Sequence, residues 1–226
     1  MSPVKLGVTV ACHPSRTRLV GNLVDALRHE GTDVTLTWDE RNEEWDTHAR
    51  AWRAGLATDS THWLVLQDDA VPCRDLEAGV VRAIKHAGTD RILSLYFGFH
   101  SAYRGKAPRY HRAVAAAKTA RELGASWMSA PGTWWGVAVM MPVQYIEPML
   151  SFCDGRPEVY DTRMGRWIEH AGVGPVLYPW PSLVDHADEK SLVWKSQPPG
   201  RRAHQFLGWD RSAVTDWDMS GPVVSV

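Results

Sequence analysis

"THWLVLQDDAVP", residues 61–72, sets four apolar residues, Trp63 to Leu66, directly against Gln67, Asp68 and Asp69 and closes on Pro72. The apolar run reads as a buried strand, and Pro72, which lacks a backbone donor, marks its limit. Two adjacent acids at the end of such a strand need a reason, and the neighbouring segments supply one.

Upstream, Leu6, Val8 and Val10 alternate with Gly7, Thr9 and Ala11, and "HPSR" then breaks the pattern before a helix carrying Leu19, Leu23 and Leu27. Val34, Leu36 and Trp38 form a second alternating strand that stops at Asp39 and Glu40, and "NEEWDTHARAWRAGLA" feeds a second helix. "WLVL" is the third strand, followed by a helix with Leu76, Val80 and Ile84 in register and Gly88 near its C-cap. "RILSLYF" supplies a fourth strand. Strands alternating with helices predict an α/β fold, a mostly parallel, doubly wound, Rossmann-like sheet. Ligands of such sheets sit beyond the carboxyl ends of the strands, where Asp68 and Asp69 fall.

Beyond residue 97 the rhythm changes. A long insertion contains a helix near Ala113 to Leu123, "WGVAVMMP" returns to strand, and "YDTRMGRWIEHAG" puts Tyr160, Met164 and Trp167 or Ile168 on one helical face. "PVLYPWPSLVDHADEKSLVWKSQPPGRR" reads as a short strand and an irregular, Pro-rich C-terminal segment. No repeat, low-complexity tract or linker divides the chain, so 1–226 is expected to be one domain, with a first half to about 97 and a second half from about 98.

The 25 Lys and Arg balance 26 Asp and Glu, so no global field advertises nucleic acid or an anionic membrane. No segment reaches the roughly 18 uninterrupted apolar residues of a membrane span. Cys12, Cys73 and Cys153 are far apart and lack metal-site spacing, which suggests neither a disulfide framework nor a zinc cage and points to a reducing, cytoplasmic setting. Twelve tryptophans suit sugar stacking and core filling alike.

An Asp pair after a strand serves as a helix cap as readily as a ligand site. Here "WLVLQDDAVPCRDL" resembles the "hhhhEDDxxP" block, with its DXD-type motif, of GT-A glycosyltransferases, particularly the family 25 lipopolysaccharide-type enzymes and related family 2 proteins. "GTWWGVAVMMPVQYIEPML" is similar to the Gly-rich strand and following helix of that fold, "YDTRMGRWIEHAG" to the segment bearing the catalytic acid, and "YPWPSLVDHADEKSL" to a late "P-S-L-V-x-H" block. These blocks run in order from Val4 to about Leu192. One position departs: Gln67 stands where the family often has an acid.

The resemblance implies a metal-dependent, inverting glycosyltransferase using a nucleotide-diphosphate sugar, a UDP-sugar above all, with Mn2+ or Mg2+. It makes Asp69 and His186 the metal ligands, with Asp185 and Asp188 as nearby alternatives, and gives Asp68 the ribose hydroxyls or a metal-bound water. Asp161 becomes the general base, with Glu158 next in line, although an Asp at that place also fits a helix N-cap. Donor contacts are expected from Ala11, His13 and Arg16, from Asp39, and from Arg50 or Arg53; an Arg on an amphipathic helix serves equally as a solvated face. Trp134 and Trp135 could stack on a sugar or an acceptor, or pack in the core.

Between His100 and Arg121 the chain carries Arg104, Lys106, Arg109, Arg112, Lys118 and Arg121 without an acid, interleaved with Tyr103 and Tyr110. Such a stretch fits a phosphate backbone and stacked bases. Small GT-A enzymes of bacteriophages, acting in the host cytoplasm, imply 5-hydroxymethylpyrimidine in DNA as acceptor; a glycan, lipopolysaccharide or virion protein stays open. A catalytically inactive sugar- or nucleotide-binding module is the rival, with Gln67 its best support. Nucleotidyl transfer ranks behind both, because no Gly-rich, Lys-containing phosphate loop follows the first strand.

Overall fold

A computed structural model of the chain describes residues 3–100, 108–192 and 200–226. Its first part follows the expected alternation: β1 (Leu6–Cys12), α1 (Thr17–His29), β2 (Val34–Trp38), α2 (Glu44–Ala54), β3 (His62–Gln67), β4 (Ala70–Pro72) and α3 (Leu76–Ala87). Then come β5 (Leu93–Ser94), β6 (Gly98–His100), α4 (Pro108–Glu122), β7 (Trp127–Ala130), β8 (Ala138–Pro142), α5 (Ile146–Cys153), α6 (Tyr160–Ala171), β9 (Val176–Pro179), β10 (Val184–His186), β11 (Arg201–Ala203) and β12 (Val223–Ser225).

The large sheet runs β12-β7-β9-β5-β8-β3-β1-β2. It is mostly parallel but mixed: β1 pairs in parallel with β2 and β3, while β8 lies antiparallel to both β3 and β5, and β7 antiparallel to β9. Strand β3 is central and covered on both faces, which is why its sequence shows no polar alternation. Trp63 and Val65 join one core with α2, α4, α5 and α6, and Leu64 and Leu66 join the other with α1 and α3.

Two expectations are corrected. The strand read over "RILSLYF" shrinks to Leu93–Ser94: Leu95 still donates its N–H to the Ala138 carbonyl at 2.9 Å, but Phe97 donates to Ser182 Oγ at 3.0 Å, outside any ladder. The C-terminal segment, read as irregular, contains β10, β11 and β12, each three residues long and too short to show a period. β12 extends the large sheet beside β7, β10 pairs antiparallel with β4, and β11 pairs antiparallel with β6. The β10–β4 ladder places His186 opposite Ala70, next to the acids.

Close packing between α6 and the loop before β8 depends on glycines. A Cβ on Gly165 would meet the Thr133 carbonyl oxygen at 2.6 Å, and one on Gly136 would meet the Tyr160 ring at 2.5 Å. Cys12, Cys73 and Cys153 are free and buried, and burial pushes each thiol up to about 12. Among the described residues no helix is long and apolar enough to cross a membrane.

Candidate functional site

A cavity of about 820 Å³ opens at the carboxyl ends of β1, β2 and β3, where the sheet topology predicts a ligand crevice. Ala11, His13, Arg16, Asp39, Asp68, Asp69, Trp134, Trp135, Asp161 and His186 all line it.

Asp68 and Asp69 are nearly enclosed, at 6% and 3% exposure, and their charge is met by Arg16. Nη1 of Arg16 lies 2.7 Å from Asp68 Oδ1 and 2.5 Å from Asp69 Oδ2. Nη2 donates to the Lys190 carbonyl at 2.9 Å. The other Asp68 oxygen accepts the His13 backbone N–H at 2.8 Å, so the loop after β1 grips the strand end of β3. Burial and the adjacent Asp69 nevertheless hold the Asp68 carboxyl above its ordinary range, outweighing Arg16 and His13. His186 Nε2 lies 3.3 Å from Asp69 Oδ2, and burial keeps this imidazole below its usual titration range.

The donors as arranged do not fit the divalent ion implied by the resemblance. One observation favours it: Asp69 Oδ1 is buried and has no hydrogen-bond partner among the described residues. Three oppose it. Arg16 fills the position between the carboxylates. His186 Nδ1 accepts the Asp188 N–H at 2.8 Å, which leaves the proton of a neutral ring on Nε2, the nitrogen facing Asp69. The alternative acids are engaged by backbone: Asp185 accepts the Ala203 N–H at 2.7 Å, and Asp188 accepts the N–H groups of Gly200 and Arg201 at 2.8 Å. Among the described residues no group of three or more His, Cys, Asp or Glu side chains is arranged to hold a metal ion.

Asp161 enters the cavity from α6. It stands in the first turn rather than at the N-cap, which is Val159, and accepts from Thr162 Oγ1 at 3.3 Å. Beside it, Tyr160 is fully buried, stacks on His48 at 3.9 Å and accepts from Trp52 Nε1 at 3.0 Å. His48 Nδ1 lies 2.8 Å from the Glu44 carbonyl, and its Nε2 lies 3.5 Å from Gln67 Nε2, so Gln67 faces a histidine that burial keeps neutral. Glu44 also lines the cavity; its carboxylate accepts the Tyr160 N–H at 3.4 Å, and burial raises its pKa.

Asp39 works mainly on its own loop, accepting the N–H groups of Arg41 and Glu43 at 3.0 and 3.3 Å. Trp134 is buried, with the Arg112 guanidinium 5.6 Å from its ring centroid, and Trp135 packs edge-on against Tyr96 and Phe97.

Three expected residues stand outside the cavity. Glu158 pairs with Arg166. Arg50 binds Asp46 at 2.8 Å and the Trp38 carbonyl at 2.7 Å, and Arg53 lines a separate hollow with Glu147 and Asp154. Arg104, Lys106 and the side chain of Arg109 lie outside the described residues. Residues that the sequence did not single out also line the cavity, among them Glu44, Thr47, His48, Tyr96 and Arg201. The four-residue spacing of Glu44 and His48 on a helix was their one visible signal; Arg201 had none, since β11 brings it in.

No protein-family model and no curated protein matches the chain. Among solved structures, A197 from STIV is similar at 12% identity over 92% of this chain and 96% of its own, with a TM-score of 0.47. A glycosyltransferase involved in the glycosylation of the major capsid of PBCV-1 is similar at 9% identity over 69% of each chain, with a TM-score of 0.32.

Proposed function

We propose that the chain is a glycosyltransferase of GT-A type that moves a sugar from a nucleotide-diphosphate sugar to an acceptor hydroxyl with inversion. The observation that carries this reading is one cavity at the carboxyl edge of the parallel strands whose lining holds the Asp68–Asp69–Arg16 cluster, Asp161 on a separate element, and two indoles. Asp161 takes the proton of the acceptor hydroxyl as its oxygen attacks the anomeric carbon. The bond from that carbon to the diphosphate oxygen breaks, and the departing negative charge faces Arg201 in the cavity lining. Trp134 and Trp135 offer apolar surface to the sugar.

The test is incubation of the protein with a panel of nucleotide sugars, reading nucleotide release with hydroxymethylated DNA, a matched unmodified duplex or a glycan as acceptor. Release that depends on acceptor and on Asp161 supports the reading, and the productive acceptor names its class. A second reading, a sugar- or nucleotide-binding module without transfer, is favoured by the engagement of Asp68 and Asp69 by Arg16. Donor binding by calorimetry with no product on any acceptor would establish that alternative. Failure of every nucleotide sugar to bind would remove both.

A further inference from the structure

The place between Asp68 and Asp69 already holds a positive charge, and the chain builds it deliberately from three distant segments. Arg16 ends a short 3-10 turn, Pro14–Arg16, after β1. Its guanidinium reaches both carboxylates at the end of β3 and the Lys190 carbonyl beyond β10. The side chains of Arg16, Asp68 and Asp69 are 11%, 8% and 3% exposed, so solvent does not dissolve the cluster as it would a surface pair. Both Asp68 oxygens are engaged, one by Arg16 and one by the His13 amide, and Asp69 Oδ2 faces Arg16 and His186. Of the four carboxylate oxygens, Asp69 Oδ1 alone is left without a partner among the described residues. A hard divalent cation takes about six or more oxygen ligands, and this wall offers it one uncommitted carboxylate oxygen. Two carboxylates against one guanidinium leave an excess negative charge that still attracts cations; occupancy, not charge, keeps them out.

We propose that Arg16 is the resident cation of this acid pair: it occupies the position a divalent ion would take and competes with such an ion for Asp68 and Asp69. A divalent ion enters by displacing a guanidinium that then keeps only the Lys190 carbonyl among these partners. The inference concerns metal binding alone and stands independently of the glycosyltransferase reading.

The experiment uses the full chain and Mn2+ with no nucleotide, reading free ion by electron paramagnetic resonance and melting temperature in parallel. Wild type is expected to bind Mn2+ weakly and to melt at the same temperature with or without it. Arg16→Ala is expected to bind Mn2+ about tenfold more tightly or better and to be stabilised by it. The gain should disappear in Arg16→Ala combined with Asp69→Asn. Arg16→Gln, which keeps length and a donor while removing the charge, provides the same comparison if the alanine variant does not fold. Wild-type Mn2+ affinity equal to that of either variant would overturn the proposal, as would tight binding that persists without Asp69.

Discussion

Nε2 of His186 lies 3.3 Å from Oδ2 of Asp69, although the two residues belong to segments far apart in the chain. The contact follows from register: His186 faces Ala70 across the β10–β4 ladder, and the Ala187 N–H bonds the Asp69 carbonyl at 2.8 Å. A three-residue strand thus carries the late histidine to the acid pair, while the Arg16 guanidinium closes the same carboxylates from the side of β1.

Removing that guanidinium leaves two adjacent carboxylates buried without their cation. Arg16→Ala should lose about 3–5 kcal/mol of stability at neutral pH, the range for breaking one side of a buried pair. Asp68 has its folded pKa raised above 3.8, by burial first and by Asp69 second. A raised carboxyl contributes its stability below the unfolded value and loses it as pH rises through the folded one. Arg16 pulls that pKa down, so its removal raises the Asp68 carboxyl further, and the deficit of Arg16→Ala against wild type should narrow as pH falls toward 3.8; urea unfolding across a pH series measures it, and a deficit that stays flat would contradict this account.

Asp161→Asn should still bind a nucleotide sugar and should lower transfer by about 10²- to 10⁴-fold, the contribution of a general base. Calorimetry of donor binding beside a product assay separates the two effects. Equal loss of binding and transfer would instead make Asp161 a donor contact.

Gly136→Ala introduces a methyl group 2.5 and 2.7 Å from Tyr160 ring carbons and 3.5 Å from the Asp161 Cβ. Tyr160 has little room to yield, held by its hydrogen bond from Trp52 and its stack on His48. The variant should be destabilised by about 1–3 kcal/mol, as overpacked cores are. Because the shift passes directly to the residue before Asp161, turnover should fall further than the fraction unfolded explains. Chemical denaturation and steady-state kinetics on the same sample provide the comparison.

His204 packs against Phe97 and Phe99 at 5.5 and 5.1 Å, and burial, with a smaller effect of Arg121, lowers its pKa from 6.5 to about 4. A lowered histidine favours the fold while neutral, so its contribution is present above 6.5 and lost as pH falls toward 4. His204→Gln should remove that part of the acid destabilisation. Between pH 7 and pH 4 wild type should therefore lose more melting temperature than His204→Gln does, and equal losses would contradict this role.

The carboxyl-edge crevice was legible because its causes are local. A strand buried on both faces must be written in continuous apolar residues, as Trp63 to Leu66 are, and its end must show the first side chains free to carry charge, Asp68 and Asp69. The helical periods of α1, α3 and α6 were equally plain, since each must cover the sheet with one apolar stripe. What these patterns could not encode was pairing. Strands of three residues such as β10, β11 and β12 carry no readable period, and their partners are chosen by the packed sheet and its loops. Long-range pairing alone brings His186 and Arg201 to the cavity, while Arg50 turns to Asp46 and the Trp38 carbonyl. The identity of the cation between the acids was beyond the sequence for the same reason: an arginine in a loop can reach solvent, phosphate or carboxylate, and only the folded distances from Arg16 to Asp68 and Asp69 select the last.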